Sequence, residues 1–136
     1  MGAWGHNAFA NDDALDWLYD AEESGMVGAV KLAFRTILTT PPSVYLESPE
    51  GAVGLAAAEV VAISFGHPRD AEDPVRVAAI SRSSAEIVGI PDIVPTAQRT
   101  IDRVVDENSE LNELWNENGP NADWQNEIAD LRARLN

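Results

Sequence analysis

The chain has 136 residues, a net charge of −14 from 23 acidic and 9 basic side chains, 45% hydrophobic residues and no cysteine. One globular domain is the expectation at this length, and disulfides, thiolate metal sites and a cysteine nucleophile are excluded. Direct binding to exposed phosphate backbones needs clustered Lys and Arg, so nucleic acid is disfavoured as a partner, whereas a basic protein suits the charge. Nothing at Met1 resembles a basic, apolar leader, and the lack of cysteine fits a cytoplasmic protein.

Residues 1–10, MGAWGHNAFA, hold too many small residues for a stable helix. Trp4 and Phe9 must still be buried, so the segment reads as an ordered arm packed on the rest. Asn11 is placed to cap a helix running to about Glu23, with Asp12 and Asp13 in the favourable first turn. Ala14, Trp17, Leu18 and Ala21 share its inner face. Asp12, Asp16 and Asp20 share the other. That stripe offers oxygen ligands for a divalent cation, but one helix cannot encircle a metal, and a solvated face is the plainer reading. Ser24-Gly25 breaks the chain. A second helix is predicted over 26–38, with Val30, Ala33, Phe34, Ile37 and Leu38 inward and Lys31 and Arg35 outward. Thr39 to Pro42 ends it, and a loop follows.

The segment Gly51–Gly66, GAVGLAAAEVVAISFG, is apolar on nearly every side and carries one charge, Glu59. Ser48 is its expected N-cap, Pro49 its first helical residue and Gly66 its C-cap. The run is shorter than the ~20 residues that span a bilayer, so it reads as a core helix and no membrane association is expected. A buried carboxylate must be paired, hydrogen-bonded or neutralised. Glu59 is first a structural anchor. The arm, through free N–H groups and the Trp4 indole, is the expected donor, and such bonds would lower its pKa. A catalytic or metal-binding role is the alternative, and rotation of Glu59 to solvent would remove both readings.

After a polar loop, one helix is predicted from Pro74 toward Ile87 on a sparse stripe of Val77, Ile80, Ser84 and Ile87; a short strand at 75–77 is the competing reading. A further helix begins near Val94 or Pro95 and buries Ala97, Ile101, Val104 and Val105. Ser109 starts a short one through Trp115, and Asn121 a last one to Leu135 that buries Trp124, Ile128, Leu131 and Leu135. Arg132 and Arg134 suit its C-terminal end. The two tail tryptophans are core residues of a helical hairpin, or else an acidic-aromatic surface for a basic partner. The expected fold is all-α: a compact single-domain bundle of five to seven helices with an ordered arm.

The sequence contains no H-E-x-x-H, G-x-S-x-G or P-loop. His6 and His67 lie in separate loops, and nothing in the spacing brings them to Glu59 or Asp12. No catalytic residue, metal site or cofactor is therefore predicted. The candidate ligand or structural-motif residues are Trp4, His6, Asn11, Asp12 and Glu59.

Two segments together resemble a known family. GAWGHNAFAND followed by DALDWL (residues 2–18) is similar to the Gly-x-Trp-Gly…Phe-x-Asn-Asp opening of the domain-of-unknown-function 4259 family of small bacterial proteins. LESPEGAVGLAAAEVVA (residues 46–62) resembles its Ala-rich helix with an internal Glu, and SELNELWNENG…W with DLRARL looks similar to its ending. The resemblance covers most of the chain and weakens between His67 and Ile93. It implies a compact bacterial domain with no assigned activity, and marks Gly2, Trp4, Gly5, Phe9, Asn11, Asp12 and Glu59 as motif positions. Two functions fit: a non-catalytic acidic interaction protein, of immunity-type or regulatory kind, that meets a basic protein; or an enzyme or metal-binding domain with Glu59, Asn11, Asp12 and His6 in one carboxylate pocket.

Overall fold

The computed structural model describes residues 5–136. Eight helices follow in order: α1 (Asp12–Ser24), α2 (Met26–Leu38), α3 (Ser48–Ser64), α4 (Pro74–Ser81), α5 (Ser84–Val88), α6 (Ile93–Val104), α7 (Glu110–Asn116) and α8 (Ala122–Arg134). Among the described residues there is no strand, only isolated bridges at Leu46–Ser109 and Glu117–Gly119. The all-α expectation holds, but five to seven helices was too few. The additional helix comes from 74–88, where one helix was expected and the chain breaks at Arg82-Ser83. The break falls in a serine-rich run, Ser81, Ser83 and Ser84, a residue type of lower helix propensity. The break leaves each half one buried isoleucine, Ile80 and Ile87.

Helix α3 is the axle. All seven other helices pack against it, and 13 of its 17 residues are buried, which explains an apolar composition with no polar face. Small residues make this enclosure possible. A Cβ built on Gly54 would lie 2.1 Å from Ile37 Cδ1 of α2 and 3.1 Å from Thr100 Cγ2 of α6, so both neighbours press directly on the α3 backbone. The helix ends as expected: Gly66 has φ +85°, and the N–H groups of Gly66 and His67 return to the carbonyls of Ile63 and Ala62. Its start differs. Ser48 is already helical, Glu47 precedes it without a capping side chain, and the Glu110 carboxylate of α7 accepts from the Ser48 N–H at 2.8 Å.

The link between α2 and α3 is fastened to the link between α6 and α7. Leu46 N–H donates to Asn108 O, and Glu110 N–H to Leu46 O, each at 2.8 Å. Arg103, buried at the end of α6, donates to the carbonyls of Pro41, Val44 and Asn108. A guanidinium is held here by carbonyls rather than a carboxylate. The neighbouring residue of α6, Asp102, pairs with Arg132 of α8 at 2.6 Å. Among the described residues no helix is long and apolar enough to cross a membrane.

Candidate functional site

Glu59 lies near the C-terminal end of α3 and is 2% exposed. Its partner is Arg134, the last residue of α8. Arg134 Nη2 donates to Glu59 Oε1 at 2.9 Å and Nη1 to Oε2, a two-pronged pair that fits the planar fork of guanidinium. The same guanidinium bonds Asp130 at 2.8 Å and the His67 carbonyl at 3.1 Å, while the His67 ring Nδ1 meets Arg134 O at 3.0 Å. One arginine thus ties α8, α3 and the loop after α3. Beside it, Arg69 pairs with Glu127 at 3.0 Å and Arg76 with the buried Glu72 carboxylate at 2.6 Å. Burial pushes the Glu59 carboxyl up, Arg134 works against that, and the guanidinium of Arg134 is itself held above its ordinary value by Glu59 and Asp130.

Two expectations about Glu59 are therefore corrected. Its donors among the described residues come from α8, not from residues 5–9 of the arm, and its pKa moves up, not down; the Trp4 part of that expectation lies outside the described residues. The reason is distance. The described part of the arm, from Gly5 on, packs near Ser48, Ala52 and Leu55, while Glu59 lies eleven residues beyond Ser48, about 16 Å along the helix. None of the five main cavities among the described residues is lined by Glu59.

The remaining motif residues that the structure describes build the start of α1. Asn11 Oδ1 accepts from Ala14 N–H at 2.8 Å and its amide donates to Ala8 O at 3.3 Å, an N-cap that also fixes the arm. Asn7 accepts from Phe9 N–H at 3.2 Å, and Phe9 is buried with the Arg76 guanidinium 5.1 Å from its ring centre. The His6 ring packs on Trp115 of α7, centres 4.6 Å apart. His6 and Asn11 share a cavity of about 40 Å³ with Asp13, Ser48 and Trp124, room for little more than water. Asp12 is exposed in the first turn of α1. Trp4 lies outside the described residues. His6 and Asn11 are thus neighbours, but the structure does not join Glu59 or Asp12 to them. His67 lines a different cavity, and no group of three or more His, Asp or Glu among the described residues is arranged to hold a metal.

A feature that pattern reading missed is a groove of about 500 Å³ between α1, α2 and the start of α3. Trp17, Leu32 and Val53 give it apolar walls, and Gly28 and Ala29 a low floor. Its charged lining residues are Asp20 and Glu50, both acidic. Glu50 Oε2 is buried without a hydrogen-bond partner. Trp17 looked like a core residue from its spacing; it is half-buried and faces this groove. Helix α1 beside it exposes Asp12, Asp13, Asp16, Asp20, Glu22 and Glu23, has no basic residue, and contributes to none of the ion pairs among the described residues.

No match is found among curated proteins or solved structures. The family model described as Domain of unknown function (DUF4259) matches residues 2–127, a stretch that includes the N-terminal motif, the groove and Glu59 but stops short of Arg134. With that match over nearly its whole length, the chain belongs to the DUF4259 family.

Proposed function

We propose that the chain is a non-catalytic interaction protein that uses the acidic face of α1 to engage a basic protein partner, as an immunity-type or regulatory factor would. The observation that carries this reading is the charge on α1. Asp12, Asp16 and Asp20 repel one another at i, i+4, and Glu22 and Glu23 occupy the last turn, where the helix dipole disfavours anions and no basic residue offsets them. Each such placement costs a few tenths of a kcal/mol in helix stability. Apart from Asp12 and Asp13 in the first turn, folding gains nothing from this charge; a cationic partner would. The same reading has the chain work as a single domain in the cytoplasm, supported by its length and its lack of cysteine. The alternative, an enzyme or metal-binding domain around Glu59, has less behind it. Both oxygens of Glu59 are held by Arg134, and His6, Asn11 and Asp12 lie elsewhere.

The test is capture from extract of the native host on the full chain and on an Asp16→Asn/Asp20→Asn/Glu23→Gln variant. The expected partner is basic, elutes as salt shortens the screening length toward about 3 Å at 1 M, and is lost from the variant. Equal capture by the variant, or a partner with no excess of Lys and Arg, would overturn the reading.

A further inference from the structure

Building on the acidic-partner reading, we propose that the groove between α1 and α2 receives an amphipathic helix of the basic partner. Its apolar side chains seat on Trp17, Leu32 and Val53, and its Lys or Arg side chains reach Asp20 and Glu50. Three observations point to this occupant. First, the lining extends along α2 from Gly25 to Thr36, about 16 Å at 1.5 Å per residue, which is the length of three helical turns. Second, the low floor at Gly28 and Ala29 allows another backbone to come close, while the walls offer an indole and branched aliphatic groups to an apolar stripe. Third, the charge is complementary and one-sided. The groove's ionisable residues are carboxylates only, whereas the cations of α2, Lys31 and Arg35, line a separate cavity with Leu38 and Pro91. Glu50 lines the groove from the first turn of α3, so its carboxylate is placed to accept from an ammonium or guanidinium arriving there.

The experiment titrates the full chain with two synthetic peptides of about 18 residues, made only of Leu and Lys in equal numbers. One places Leu at i, i+3, i+4 and i+7; the other has the same residues in scrambled order. Binding is read by calorimetry and by Trp fluorescence. The patterned peptide is expected to bind about tenfold tighter than the scrambled one, the increment that seating an apolar anchor supplies. Gly28→Leu fills the groove, and it should leave the fold intact because a Cβ there meets nothing within 4 Å. Glu50→Gln removes one of the two groove carboxylates that would meet a cation. Each should weaken the patterned peptide about fivefold or more and leave the scrambled one unchanged. Leu32→Ser, at an exposed position, serves as the check on folding and should act in the same direction. Equal affinity for the two peptides, or variants that bind like the wild type, would overturn the groove. If both peptides bind equally and Asp16→Asn/Asp20→Asn abolishes both, the groove fails and the acidic face stands. If neither binds and no basic partner is captured, both fail.

Discussion

Arg134→Met removes the guanidinium partner of a sealed carboxylate while keeping most of the apolar stem. The Arg134 side chain is 12% exposed and that of Glu59 2%, so water replaces little of what is lost. Breaking such a pair from one side costs roughly 3–5 kcal/mol. A second route sets a ceiling. Glu59 can always escape by taking up a proton; from a reference pKa of about 4.3 and 1.36 kcal/mol per unit this would cost roughly 3.7 kcal/mol at pH 7, and it costs less because burial raises the folded value. The loss is therefore capped below about 4 kcal/mol at neutral pH and shrinks as the pH falls toward the folded value. Urea unfolding followed by circular dichroism reads it directly. With a slope of about 1.5 kcal/mol per molar, the midpoint should fall by roughly 2 M at pH 7. Combining it with Glu59→Leu should restore most of the midpoint, because an apolar pair of similar volume replaces the ions. A midpoint shift under about 0.5 M at pH 7, or one that does not shrink on acidification, would refute the reasoning.

The sign for Glu59 itself is also testable. Because burial raises its folded pKa, the folded chain holds the proton more tightly than the unfolded one; the resulting stability is full below the unfolded value of about 4.3 and is lost as the pH rises through the folded value. Stability of the wild type relative to Glu59→Gln should rise as the pH is lowered from 7 toward 4, and the opposite slope in urea titrations would show that Arg134 outweighs burial. Gly54→Ala should destabilise by about 1–2 kcal/mol by thermal or urea unfolding, since the overlap with Ile37 and Thr100 exceeds the helix-propensity gain. Arg103→Met should cost about 2–3 kcal/mol by leaving the carbonyls of Pro41, Val44 and Asn108 without a charged donor, with faster amide exchange at Leu46 and Glu110.

What the sequence revealed was mostly local. Asn11 before Asp12, Gly25 between two stripes and Asn121 after Gly-Pro are short-range signals, and the helices they bound begin and end within a residue or two of expectation. An all-round apolar run could only be an enclosed helix, so α3 was legible as the axle. Residues 74–88 were not, because spacings of three and four are the same for one helix or for two that share a facing neighbour. Glu59 was legible as a buried charge, but its partner is 75 positions away, and an arginine at a helix end is already explained by the dipole. Arg103 gave no signal for the same reason. The groove is built by three helices at once, and no periodicity within one of them reports the space between them. Its acidic stripe was visible, though on sequence grounds a solvated face was the plainer reading of it.

Backbone amide shifts on the isotope-labelled full chain, recorded while the patterned Leu-Lys peptide is added, test the interaction surface most directly. Shifts are expected to be confined to α1, α2 and the first turn of α3, strongest near Gly28, Ala29 and Glu50, together with movement of the Trp17 indole N–H. Shifts spread evenly over the acidic residues of α7 and α8 as well, or none at saturating peptide, would contradict it.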